Sequence, residues 1–259
     1  MNVLTNDQLF RIAPSIFAQS ADEARSDKYR FVPTIEVLDT LRSEGFQPVK
    51  VTTSRSLTDE GKAFVKHHIR LRRESDLSTK LARVGQVIPE IALTNSHNGT
   101  SGFILDAALH RLVCSNGLIA ESSQGALRFR HSGRDDLTGR ILEGAYSIVQ
   151  DFPLIADKVE EWSSIGLSEA QRLAFAKAAI PLRFDDETAV SAQQLLTPRR
   201  FGDRNTDLFT TFNVVQEHLI KGGVRQGASV DRDLKLNRAL WTLADALAGH
   251  VSGAELLAA

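Results

Sequence analysis

The sequence predicts an α+β fold: N-terminal helices, a mostly antiparallel sheet with one basic strand, then a helical C-terminal half. Two observations carry this. Before residue 132, apolar residues often alternate with polar ones, the period of a half-buried strand; after it they recur at helical spacing. No linker separates 1–132 from 133–259, so the two regions read as one continuous packed unit. Apolar residues are 42% of the 259, enough for a sizeable core.

The elements follow in order. Thr5 and Gln8 have capping-box spacing and open a first helix that Pro14 kinks or stops. Pro33 suits the first turn of a second, with Ile35, Leu38 and Leu41 on one face and Gly45 as its left-handed end. Val49 to Arg55 is rich in β-branched residues and reads as a strand. Over Phe64 to Arg73, Val65, His67, Ile69 and Leu71 point one way, and Lys66, His68, Arg70 and Arg72 the other. Ile88 to Thr94 is a third strand. Residues 102–114 form an apolar run, a bent strand or a short helix. Asn116-Gly117 marks a turn and Ala126 to Arg130 a last strand. Helices are predicted over Asp136 to Val149, after the capping pair Ser168 and Gln171, over Asp207 to Leu219 before Gly222-Gly223, and over Asp233 to Leu247 with Gly249 beyond.

Composition excludes several classes. No apolar run approaches about eighteen residues, so no membrane span is expected. MNVLTNDQLFRIAP lacks a basic then apolar leader, and a cytoplasmic protein is the expectation. The single Cys114, flanked by Leu112 and Val113, reads as a buried thiol. A zinc set of His97, His110, Cys114 and His131 fits no standard spacing, and His67 and His68 face opposite sides of a strand. No GxSxG, HExxH or P-loop pattern occurs, so no catalytic residue, metal or cofactor is assigned. Asp135-Asp136 and Asp231 with Asp233 sit where helix caps are expected; Asp185-Asp186-Glu187 is a further acidic run.

The basic segment 50–83 is the most informative. Lys50, Arg55, Lys62, Lys66, Arg70, Arg72, Arg73, Lys80 and Arg83 outnumber Asp59, Glu60, Glu74 and Asp76, a local +5 in a chain of net −1. Alternate side chains about 7 Å apart, twice the strand rise, approach the phosphate spacing of an extended single strand. The expected DNA-binding residues are Lys50, Arg55, Lys66, His68, Arg70, Arg72 and Arg73. Phe64 and Phe129 are the nearest stacking aromatics. A second candidate, the loop 94–102, offers Asn95, Ser96, His97, Asn98 and Gly99, with Arg111 beyond it, as a ligand loop or anion nest. Arg199, Arg200 and Arg204 suit phosphates or acidic helix ends; Asn213, Gln216, Glu217, Asn237 and Trp241 suit polar bonding between helices.

TNSHNG at 94–99, RLVCSNGL at 111–118, FNVVQE at 212–217 and NRALW at 237–241 together resemble the phage/plasmid-like protein family (domain of unknown function 932), from about residue 30 to residue 248. Asn98 stands where many relatives have aspartate. The resemblance implies residence on plasmids, prophages and integrated islands, and assigns no activity. In architecture, a helix, a basic antiparallel region and a following helix are similar to the core of single-strand annealing proteins of the Red-beta and Erf kind. That likeness implies a homo-oligomer holding single-stranded DNA in a positive groove, for annealing or recombination. The alternatives are a protein-binding accessory or host-defence inhibitor, and a metal-dependent nuclease using scattered carboxylates and His97.

Overall fold

A computed structural model of the chain describes residues 3–26, 28–73, 75, 87–111, 117–120, 125–131, 136–185, 190–221 and 230–258. The first capping box is formed: the Thr5 hydroxyl accepts from the Gln8 N–H at 3.3 Å, and the Gln8 side chain accepts from the Thr5 N–H at 2.9 Å. Helix α1 (Asn6–Ile12) ends before Pro14, which opens a 3-10 turn over Pro14–Phe17. Helix α2 (Thr34–Ser43) follows Pro33 and buries Thr34, Val37, Leu38 and Leu41; Ile35 is only half-buried. Its chain reverses at Gly45, whose φ of +87° is a left-handed conformation that favours glycine.

Six strands form one antiparallel sheet: β1 (Phe46–Thr53), β2 (His67–Arg73), β3 (Val87–Asn95), β4 (Phe103–Arg111), β5 (Gly117–Ile119) and β6 (Leu127–Phe129). Spatial order follows sequence order from β1 to β5, while β6 pairs with the Phe103 end of β4. The run 102–114 is therefore a strand as far as Arg111; Cys114 and Asn116 lie outside the described residues. Register puts Val51, Ile69, Leu93 and Leu105 in one cross-strand row. This first face packs on helix α3 (Leu137–Ser164), whose Gly144 lies so close that an added Cβ would stand 3.0 Å from Phe129 and 3.1 Å from Leu127.

The remaining helices are α4 (Glu169–Ala179), α5 (Ala192–Leu195), α6 (Leu208–Lys221) and α7 (Val230–Ala258). The Ser168–Gln171 capping box is present, and Asp136 caps α3 through the Gly139 N–H. Asp135, Asp186, Glu187, Gly222 and Gly223 lie outside the described residues, while Asp231 and Asp233 occupy the first turn of α7 as expected. Gly249 lies inside α7, where it was expected to end it. Trp162 of α3, Phe212 of α6 and Trp241 of α7 join the helical half, with the two indoles 4.5 Å apart. One set of buried apolar side chains runs from Leu9 through the sheet to Val251, so 1–132 and 133–259 share a core. Among the described residues no helix is long and apolar enough to cross a membrane.

The second face of the sheet is covered as well. Ala92 of β3 and Ala108 of β4 pack against Val230 and Leu234 at the start of α7. Every residue of β3 is consequently buried.

Candidate functional site

Alternation through Lys66 and β2 places Lys66, His68, Arg70 and Arg72 away from Ile69 and Leu71, as the sequence predicts, but each is engaged: Lys66 by Asp231 of α7, and the other three by β3 and β4. Lys66 Nζ donates to both Asp231 carboxylate oxygens at 2.6 Å and is 7% exposed. Arg70 is 4% exposed; its Nη2 lies 2.5 Å from Glu90 Oε2 and donates to the Leu109 carbonyl at 2.8 Å. Arg72 donates from Nε to Glu90 Oε1 at 3.0 Å and pairs with it again through Nη2. His68 Nδ1 lies 2.8 Å from Thr94 Oγ1. The expected track of free cations is thus absent: a strand buried on both faces can hold guanidiniums only by pairing them.

The other expected contacts do not restore it. Lys50 shares the second face, opposite Arg70, and is exposed. Arg55 is exposed in the loop after β1, whereas Arg73 leans over Phe46, 5.1 Å from the ring centre, on the opposite face. Phe129 points toward α3, where the Arg140 guanidinium lies 5.7 Å from its ring centre, on the face opposite the basic strand residues. Lys80 and Arg83 lie outside the described residues.

What survives is an excess of charge. Among the described residues of the second face and the first turns of α7, Lys50, Lys66, Arg70, Arg72, Arg128, Arg232, Lys235 and Arg238 stand against four carboxylates, Glu90, Asp106, Asp231 and Asp233. The chain as a whole is −1. Glu90 serves two guanidiniums, and Asp106 is held by Arg238 Nη2 at 2.6 and 2.7 Å. Two imidazoles on this face are lowered, first by burial and then by the neighbouring cations. Burial pushes His68 down to about 3, and the Arg70, Lys50 and Arg238 charges push the same way. Burial also lowers His110, with Arg70, Arg72 and Lys50 adding to the effect against the Glu90 carboxylate.

The loop 94–102 does something different from nesting an anion. Asn95, Ser96 and His97 are fully buried, while the turn is made by the half-buried Asn98, whose Oδ1 accepts from the Thr100 N–H at 3.2 Å, and by Gly99, with φ +77°. Arg111 does not join them; it donates to Asp203 at 2.6 Å, and Asp203 also pairs with Arg200. Arg200 in turn grips Glu217 of α6 at 2.6 and 2.8 Å, so this cluster ties the sheet to the helical half. Gln216 donates to Asn237 at 2.7 Å, as expected of internal polar bonding.

Sequence reasoning missed the partners of this loop. Ser15 Oγ lies 2.8 Å from His67 Nδ1, His67 Nε2 lies 3.0 Å from Thr34 Oγ1, and Thr34 Oγ1 lies 3.1 Å from His97 Nε2. The Asn95 amide bridges Thr34 (2.9 Å from Nδ2) and His131 Nε2 (2.7 Å from Oδ1), while His131 Nδ1 faces the Arg30 carbonyl at 3.1 Å. In this amide orientation both nitrogens of His131 face acceptors and would need two protons. Yet burial holds His131 below the ordinary histidine value, and pushes His67 down to about 3 and His97 to about 4. Half a turn of the amide resolves the conflict. Ser15 then donates to His67, His67 and His97 donate to Thr34, Thr34 donates to the Asn95 oxygen, the Asn95 nitrogen donates to His131, and His131 donates to Arg30. Every link gains one donor and one acceptor with three neutral rings; only His97 Nδ1 stays unpartnered.

Tyr29 stacks on His131 at 4.7 Å and donates to the Ser96 carbonyl, so the network fastens residues 13–34 onto the sheet. It is closed to solvent, and no group of three or more His, Cys, Asp or Glu among the described residues has the arrangement of a metal site. The second face, not this loop, is the candidate functional surface.

Residues 22–241 match a domain of unknown function, DUF932. The UPF0380 protein YafZ of Escherichia coli (strain K12) is 40% identical over 257 residues, covering 94% of this chain and 91% of that protein. The UPF0380 protein YfjQ of the same organism is 39% identical with the same coverage. No solved structure matches, so the likeness to annealing proteins of the Red-beta and Erf kind gains no support.

Three outcomes follow from this geometry. Glu90→Gln, which strands two buried guanidiniums, should cost about 3–5 kcal/mol in denaturant unfolding, against under about 1 kcal/mol for the exposed Asp59→Asn. A histidine lowered in the fold favours the fold fully above its unfolded pKa of about 6.5 and loses that contribution as pH falls. Unfolding free energy should therefore drop between pH 6.5 and 4.5, by about 1.4 kcal/mol per pH unit for each of His67 and His97; a flat profile would contradict the network. Long-range proton–nitrogen NMR should show His131 as the neutral Nδ1–H tautomer. Asn95→Asp, which can only accept, should convert it to imidazolium.

Proposed function

This chain belongs to the DUF932 family, and on that premise we propose that it is a single-stranded-DNA-binding protein with an annealing or recombination role, contacting DNA across the second face of the sheet. The observation that supports this reading is that, among the described residues, eight cations on that face and the first turns of α7 stand against four carboxylates, in a chain of net −1. Cations concentrated on one face focus a potential that attracts a polyanion. Of the contacts the sequence named, Lys50 stays; Arg128, Arg232 and Lys235 are added. Lys66, Arg70 and Arg72 hold the surface together from inside, while the exposed Lys50, Arg128, Arg232 and Lys235 are the ones a phosphate reaches. Lys50 on β1 and Arg128 on β6 flank α7 across four strand spacings, about 19 Å.

No aromatic side chain of the described sheet residues stands on this face, so stacking contributes little and the binding is electrostatic. A different observation favours a second reading, a protein-binding accessory or host-defence inhibitor. Val3, Phe10 and Ile12 are 41%, 55% and 45% exposed at the N-terminal end, and exposed apolar side chains of this kind serve protein contacts.

Fluorescence anisotropy with single-stranded oligonucleotides over a salt series separates the two. Four phosphate contacts give a slope of log K against log salt of about −3, roughly a 50-fold loss between 50 and 200 mM salt. Lys50→Glu with Arg128→Glu should abolish binding and leave the fold intact. Absence of binding at low salt removes the DNA reading and leaves the protein partner.

A further inference from the structure

Between β4, β6 and α7 lies a pocket of about 220 Å³ lined by Asp106, Gly125, Arg128, Arg238, Thr242 and the methyl groups of Ala120 and Ala126. Among the described residues its charges do not cancel. Arg238 uses a single nitrogen, Nη2, on both oxygens of Asp106. Its Nε is buried without a partner, and no bond is recorded for its Nη1 among the described residues. Arg128 is exposed at the opposite wall, on β6. Two guanidiniums from different elements therefore line a pocket whose single described carboxylate is already held by Arg238. At Gly125, whose φ is +65°, an added Cβ would meet no described residue within 4 Å.

We propose that this pocket binds a phosphate monoester, the terminal phosphate of a nucleotide or of a DNA strand, between Arg128 and the spare donors of Arg238. A planar carboxylate is satisfied by one guanidinium fork, whereas a tetrahedral phosphate presents oxygens to donors arriving from two elements. The net single positive charge of Arg128, Arg238 and Asp106 suits an anion. The site rests on the reading that this face receives phosphate, and it adds an end-specific contact to the dispersed ones made by Lys50, Arg232 and Lys235.

The test compares 5′-phosphorylated and 5′-hydroxyl oligonucleotides of one sequence at one salt concentration, with inorganic phosphate and a nucleoside monophosphate as competitors. The phosphorylated strand should bind at least ten-fold tighter. Arg128→Gln, and Ala126→Phe, which fills the pocket without changing charge, should each erase that difference while unfolding midpoints stay within a few degrees. Preferential binding of the monophosphate identifies a free nucleotide as the source and supports the pocket equally. Equal affinity for the two strands overturns the pocket and leaves the face as a DNA surface. Failure of every probe to bind overturns both.

Discussion

Two guanidiniums of one strand share one buried carboxylate, and the second face of the sheet is arranged around that shortage. Arg70 and Arg72 of β2 both depend on Glu90 of β3, which is 2% exposed. Desolvated charges of this kind persist only when paired, because the penalty for burying an unpaired ion exceeds what packing returns. One carboxylate cannot neutralise two cations, so positive potential remains; burial lowers His68 and His110, and the neighbouring cations push the same way. Helix α7 completes the arrangement, with Asp231 on Lys66 at one point and Arg238 on Asp106 at another. Its Val230 and Leu234 cover the alanines between.

The first face meets a different constraint, that of polar groups inside a core. Ser15, Thr34, His67, Asn95 and His97 are all fully buried, and each needs partners because water cannot reach them. Thr34 is the junction: one hydroxyl receives two imidazole protons and passes its own to Asn95. The amide of Asn95 decides the state of His131, since its oxygen demands a proton from the ring and its nitrogen supplies one. Such a network specifies how residues 13–34 lie on the sheet more sharply than apolar contact would, because each bond has a direction.

Much of this was legible. The two capping boxes, the Gly45 reversal and the alternation along β2 are local, and they are where the sequence puts them. What covers a strand is not local: Asp231 lies 165 residues from Lys66. A basic strand therefore reads as a surface when its helix lid is far along the chain. One signal was present in VIPEIAL, where the lone Glu90 among apolar residues asks for cations on a neighbouring strand. The loop 94–102 has the composition of a turn, but Asn95 and His97 are claimed by Thr34, Asn95 also by His131, and nothing in residues 94–102 announces those partners. Gly249 gave a false stop because a helix held by Trp241, Ala244, Ala248 and Val251 tolerates one glycine in its run.

The central claim is that the cations of β2 are internal while Lys50 and Arg128, on the outer strands, are exposed to solvent. Chemical footprinting of the folded protein, with an amine acylating reagent for lysines and phenylglyoxal for arginines, reads that claim directly when labelled sites are located by mass spectrometry. The account predicts rapid modification of Lys50, Arg55 and Arg128, and protection of Lys66, Arg70 and Arg72 until the chain unfolds. Modification of Lys66 and Arg70 in the folded protein as fast as Lys50 would contradict it.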